Sequence, residues 1–185
     1  MPHFVEREEL PEGVTVLVEY DPDPESPRAW DNFGRVTLVD RCRYNFGDDT
    51  ATAEELQAMA KNPDLVTLPI FIYDHSGITI NTTGFSCPWD SGTVGVISVE
   101  KARARAELGV KRLDLARVRQ MLRAEVETLD QYITGTVYGY RVQDSEGEEL
   151  ASCGGFYGTS AETLAEGLAE ARAIVEALDR AALAA

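Results

Sequence analysis

Leu65-Val66-Thr67-Leu68-Pro69-Ile70-Phe71-Ile72-Tyr73, then Asp74-His75-Ser76-Gly77, then Ile78-Thr79-Ile80, is the stretch whose reading decides the fold. The first run is apolar on both faces, as a buried strand is, and Pro69 puts its N–H side at an edge or a strand start. The four polar residues join it to a second β-branched run as a compact hairpin turn, with Gly77 placed to take a positive φ. Adjacent strands joined this way are antiparallel. Outward from this hairpin, Val14–Tyr20, Arg35–Arg43 and Val94–Val99 read as further strands. Thr136–Gln143 and Glu148–Ser152 form a second hairpin around Asp144-Ser145-Glu146-Gly147, with Tyr138, Tyr140 and Val142 on one face.

The helices carry their own punctuation. Thr52 and Glu55 spell a capping box for a short helix that stops near Asn62-Pro63, and Thr159 and Glu162 spell another for a C-terminal helix over 159–183. Glu100–Leu108 is a short basic helix ended by Gly109. Leu115–Ile133 is a long one, with Asp114 as N-cap and a stripe of Leu115, Val118, Leu122, Val126, Leu129 and Ile133. Arg112, Arg119 and Arg123 lie toward its other side, with Glu127 one turn from Arg123 as a salt-bridge partner. In the last helix Leu164, Leu168, Ala171, Val175, Leu178 and Ala182 recur at heptad-like spacing. The element order predicts one α+β domain over 1–185, a mainly antiparallel sheet with helices packed on one face, behind a flexible segment 1–13.

Composition narrows the function classes. The chain has 185 residues with 32 acidic against 17 basic side chains, a net charge of −15. Only the segment 101–123 runs the other way, with 8 bases against 2 acids. That balance argues against direct nucleic-acid binding and for either plain solubility or a basic protein partner, since an acidic surface imitates a phosphate array. No apolar run is long enough for a membrane span, and the amino terminus lacks a signal-peptide pattern, so no membrane association and a cytoplasmic location are expected. The three cysteines, an odd number without C-x-x-C spacing, suit a reducing compartment.

The rare residues fall in Gly-punctuated polar turns, where function usually sits. Trp30, Asp31, Asp74, Trp89 and Asp90 are the expected contact residues, because exposed indoles flanked by carboxylates anchor interfaces. An enzyme reading forces Cys87 or Cys153 as nucleophile, His75 as base and Asp74 or Asp90 as orienter, with no nucleophile signature beside them. Zinc would need Cys42, Cys87, Cys153 and His75 from four separate segments, and a hard cation would need Asp31, Asp48, Asp49, Asp74 and Asp90, so neither metal nor cofactor is expected. Gly154-Gly155-Phe156-Tyr157-Gly158, ahead of the last helix, offers amides to an anion but follows no nucleotide-binding pattern.

Several strings occur in order: Ser26-Pro27-Arg28-Ala29-Trp30-Asp31-Asn32, Arg43-Tyr44-Asn45-Phe46-Gly47-Asp48, Tyr73-Asp74-His75-Ser76-Gly77, Cys87-Pro88-Trp89-Asp90-Ser91-Gly92, Glu125–Tyr132 and Ser152–Gly158. Together they resemble an uncharacterised family of bacteriophage and mobile-element proteins, from about Val14 to Gly158. The resemblance implies a phage or mobile-element accessory protein working in a bacterial host's cytoplasm, and it brings no reaction with it. With the charge, it makes the expected function inhibition of a host DNA-targeting defence system by binding a basic host protein. The alternatives are a small cysteine-dependent hydrolase or transferase built on Cys87 and His75, and a nucleic-acid-associated phage metabolism factor using the basic helices. The basic segment also leaves room for a homo-oligomer.

Overall fold

Nine strands and four helices alternate along the chain in the computed structural model, which describes residues 4–184. The class is α+β. The strands are β1 (Phe4–Glu9), β2 (Thr15–Tyr20), β3 (Arg35–Val39), β4 (Asp49–Ala51), β5 (Leu65–Asp74), β6 (Ile78–Asn81), β7 (Ser91–Glu100), β8 (Val137–Gln143) and β9 (Glu149–Tyr157). The helices are α1 (Ala53–Lys61), α2 (Lys101–Leu108), α3 (Leu115–Thr134) and α4 (Ser160–Ala184). They pack as two compact units, one of Ser26–Thr134 and one of the residues up to Glu25 together with those from Gly135 onward. Each has its own sheet and core.

In the unit Ser26–Thr134 the sheet order is β4-β3-β7-β5-β6, antiparallel except for the parallel β3–β4 pair. Leu68, Ile70 and Ile72 of β5, Ile97 and Val99 of β7 and Val36 and Leu38 of β3 meet Val118, Leu122, Val126 and Leu129 of α3 in one core. The helical stripe is therefore as expected, apart from Leu115, which is exposed in the first turn. α1 lies on the opposite face, where Leu56 and Ala60 border Pro69 and Val96 across a groove of about 380 Å3. Its capping box has both halves, Glu55 N–H to Thr52 Oγ1 at 3.2 Å and Thr52 N–H to Glu55 Oε2 at 2.8 Å. β3 and β7 approach so closely at Gly95 that a Cβ there would collide with the Thr37 carbonyl oxygen.

The flanking unit has the antiparallel order β1-β2-β8-β9 with α4 across one face. Val14, Val16, Val142 and Ala171 form its core. At Gly167 a Cβ would stand 2.7 Å from Val16 and 3.0 Å from the Tyr140 ring, so only glycine lets α4 down onto the sheet. Thr159 and Glu162 cap α4 reciprocally, with Glu162 N–H to Thr159 Oγ1 at 3.2 Å and Thr159 N–H to Glu162 Oε2 at 2.9 Å. The side chain of Ala182 lies outside the described residues.

Four local expectations are corrected. Residues 4–9, expected within a flexible lead-in, pair with β2 as an edge strand whose charged side chains blunt the edge. β3 stops at Val39 instead of Arg43, because Arg41 takes a left-handed φ of 60° and turns the chain. β4 was not anticipated at all. β9 continues through Cys153 to Tyr157, so the expected Ser152–Gly158 turn is mostly strand.

Arg28 ties the first unit together. Its side chain, 9% exposed, forks onto Asp48 (Nε to Oδ1 3.0 Å, Nη2 to Oδ2 2.6 Å), reaches Glu125 of α3 at 3.3 Å and donates to the Gly34 carbonyl at 2.8 Å. The carboxylates pass the interaction on. Glu125 accepts the N–H of Phe33 at 2.7 Å and of Gly34 at 3.1 Å, and Asp48 accepts that of Val36 at 2.7 Å. Replacing Arg28 with Ala leaves two carboxylates in a poorly solvated site and should cost about 3 kcal/mol in urea unfolding. Arg28→Lys should recover only part of it, since an ammonium cannot match the fork.

Candidate surface site at one end of the five-stranded sheet

The β5–β6 turn, the segment before β7 and the segment after β3 come together at one end of the sheet of Ser26–Thr134. The β5–β7 ladder reaches Tyr73 opposite Ser91, and the Asp74 N–H closes it onto the Asp90 carbonyl at 2.8 Å. Next to this, the Ser91 hydroxyl donates to the Cys87 carbonyl and folds residues 87–91 into a tight turn. In the β5–β6 turn Gly77 takes the expected positive φ, 157°, and Ser76 beside it is left-handed with φ 59°. Among the described residues, Ser76 and Arg41 are the non-glycine positions with this backbone, and both belong to turns that build this end.

The side chains form a polar cluster with an aromatic flank. Asp90 Oδ2 lies 3.4 Å from His75 Nδ1 and 3.7 Å from Cys87 Sγ. Asp74 Oδ2 accepts both the Tyr44 hydroxyl and the Arg43 guanidinium, which sits 5.3 Å from the Tyr44 ring centre. Tyr73 stacks on His75 at 6.2 Å and meets Phe85 at 5.7 Å. Trp89 stands at the tip of the turn with its side chain 90% exposed. Arg43 and His75 of the cluster are 72% and 64% exposed, so this is an open surface and not an enclosed pocket.

Asp74, His75, Cys87, Trp89 and Asp90 are thus brought together, while the other expected residues are not. Trp30 and Asp31 precede β3, whose first residue Arg35 pairs with Ser98. At roughly 3.3 Å per residue, the stretch of β7 from Ser91 to Ser98 puts about 23 Å between that end of the sheet and the Trp89 end. Trp30, 43% exposed, belongs to a turn that Asn32 ties by bonds to the carbonyls of Pro27 and Trp30. Cys153 lies on β9 of the other unit, exposed, beside a shallow cleft of about 310 Å3. The Gly155 amide, one of those that the sequence offered to an anion without a nucleotide-binding pattern, is taken by the Asp21 carboxylate at 2.7 Å.

The order of the cluster decides its chemistry. A thiol nucleophile needs the imidazole as its immediate neighbour and the carboxylate behind it. Here the carboxylate is in the middle, with thiol and imidazole both addressing Asp90. A carboxylate is a weaker base than an imidazole and a poorer acceptor for a thiol proton. Among the described residues no group of three or more His, Cys, Asp or Glu side chains is arranged to hold a metal ion. Asp48, Asp49 and Asp74 are each engaged by an arginine, Arg28, Arg35 and Arg43 respectively. The arrangement suits display of a rigid indole with charged and aromatic neighbours. Arg43, Tyr44, Tyr73 and Phe85 are the members that sequence reasoning missed, and the Arg43-Tyr44 pair in a polar turn was the available signal.

The charge is partitioned as well. Ser26–Thr134 holds 15 acidic and 13 basic side chains, net −2, and the flanking unit 17 and 4, net −13. No described helix is long and apolar enough to cross a membrane.

The Tyr44 hydroxyl and the Arg43 guanidinium hold the Asp74 carboxyl below its ordinary value, and the same hydrogen bond raises Tyr44. The linkage sign follows: this contact stabilises the fold above the unfolded carboxyl value and is lost as pH falls through the lower folded one. An NMR titration should place the Asp74 midpoint below about 3.9. Tyr44→Phe should move it upward, and an unchanged midpoint would deny the contact. Compared with family models, curated proteins and solved structures, the chain matches none.

Proposed function

We propose that the protein acts by binding a protein partner, with the Trp89 turn as its anchor. One observation carries this reading: a tryptophan 90% exposed at the tip of a turn fixed from both sides, by Asp74 to Asp90 and by Ser91 to Cys87. Leaving a large apolar ring in water is unfavourable unless it is covered in a complex, and a pre-ordered turn loses little entropy on binding. Trp is also the residue type most enriched where interface energy concentrates. Asp74, Asp90, His75 and Arg43 supply a polar rim.

The net charge of the chain supports a partner with a basic surface, since complementary fields speed encounter. Joined to the resemblance with phage and mobile-element proteins, this makes a host DNA-targeting defence enzyme the favoured partner and its inhibition the favoured outcome. The cysteine-hydrolase reading has the Asp90–His75 contact in its favour and the placement of the thiol against it. The test is capture from a bacterial lysate with the wild type and with Trp89→Ala, followed by a nuclease assay on what is retained. The expected result is a DNA-cleaving enzyme that the wild type inhibits and that Trp89→Ala binds about 30-fold more weakly or worse, a loss of roughly 2 kcal/mol. Equal binding by both proteins would remove Trp89 as the anchor.

A further inference from the structure

Two exposed helix faces carry opposite charge. On α3, Arg119 and Arg123 are exposed one turn apart, and among the described residues neither makes an ion pair. The expected Arg123–Glu127 pair does not form. Arg105, Lys111, Arg112 and Arg117 nearby are exposed and likewise unpaired among the described residues. On α4, Glu166 and Glu170 are exposed one turn apart, following Glu162, which caps the helix through Thr159, and beside them runs an exposed row of Ala161, Ala165, Ala169, Ala173 and Ala177. Like charges one turn apart weaken a helix, and no cation on α4 breaks this row before Arg172.

We propose that the basic face of α3 docks on the acidic face of α4 in a second copy of this chain. Charge is the first argument: α4 belongs to the unit of net −13, and the first half of α3, residues 115–123, carries Arg117, Arg119 and Arg123 and no acid, the acids Glu125, Glu127 and Asp130 following in its second half. Spacing is the second. Residues four apart on any α-helix are separated by about 6 Å along its axis, so the Arg119–Arg123 row and the Glu166–Glu170 row match in repeat. The alanines beside the glutamates let a second helix approach closely enough for these rows to meet. A nucleic acid is a poorer occupant, because a chain of net −15 repels a polyanion before it reaches the arginines. The contact joins different patches, so a pair closes only if both copies donate both faces.

Sedimentation at about 0.05 M and about 0.5 M salt tests this. The wild type is expected to self-associate at low salt and to weaken roughly tenfold or more at high salt. Arg119→Glu with Arg123→Glu, and separately Glu166→Lys with Glu170→Lys, are each expected to be monomeric. Mixing the two double variants is expected to restore association, because opposite charges then face each other again. All four positions are exposed, and unchanged circular dichroism and urea unfolding check that the variants fold. A wild type that stays monomeric at low salt, or association that survives either double variant, overturns the proposal. So does retention of a labelled DNA of about 20 nucleotides by the wild-type monomer that Arg119→Glu with Arg123→Glu abolishes. Trp89→Ala should leave the self-association unchanged, which separates this inference from the Trp89 reading.

Discussion

The Arg28 guanidinium is the constraint on which the larger unit depends. Its fork brings together a turn, the residues before β4 and a helix that begins almost ninety positions later, a separation that no local propensity bridges. What makes it effective is that its partners are occupied on both sides. Asp48 and Glu125, 17% and 18% exposed, each accept the guanidinium and backbone N–H groups of Phe33, Gly34 or Val36. A charged group withdrawn from water is tolerable when its hydrogen-bonding capacity is filled, and here every bond also fixes a strand start. Asp130 repeats the device one turn further along α3, accepting the Thr79 hydroxyl at 2.8 Å and the Ile80 N–H at 2.7 Å. Helix α3 is thus pinned at both edges of the sheet by carboxylates, with its apolar stripe between them.

This arrangement divides the five-stranded sheet by role. The end bearing Arg28, Trp30 and Asn32 is taken up with its own hydrogen bonds. The opposite end carries left-handed Arg41 and Ser76, the exposed Trp89 and the shared carboxylates of Asp74 and Asp90. Left-handed non-glycine backbone and an exposed indole are each unfavourable in isolation, and both are concentrated at this end. In the cluster Asp90 stands between Cys87 and His75, so thiol and imidazole each address the carboxylate.

Much of the fold was legible locally. The two capping boxes, the Asp114 cap, the stripe of α3 and both hairpins were readable because each depends on residues within one or two turns of each other. The misses share a physical cause. β9 runs through Gly154 and Gly155 because its ladder with β8 takes them up as a bulge opposite Gly139, where Gly155 adopts a φ of 79° and its amide meets the Asp21 carboxylate. β4 is three residues long and exists through its pairing with β3. Arg28, Glu125 and Asp130 stood inside quoted motifs without a role, and Asp48 only among the carboxylates that a hard cation would need, because a carboxylate that caps a distant strand looks the same in sequence as one facing water. Trp30 and Trp89, alike as indoles in polar turns, were grouped together although β7 holds them at opposite ends.

By itself the amino-acid order determined the element types, most helix ends, the α+β class and the total charge, since these follow from periodicity, capping chemistry and counting. Only tertiary structure decided which strands became neighbours, which turns met at one end of a sheet, and that nearly all the net negative charge collects in one unit. Those outcomes depend on contacts between residues far apart in the chain. β3 finds its partner in β7 some sixty residues on, with Gly95 permitting the approach, and it is this pairing, together with the ladder of β5 and β7, that sets Trp89 apart from Trp30.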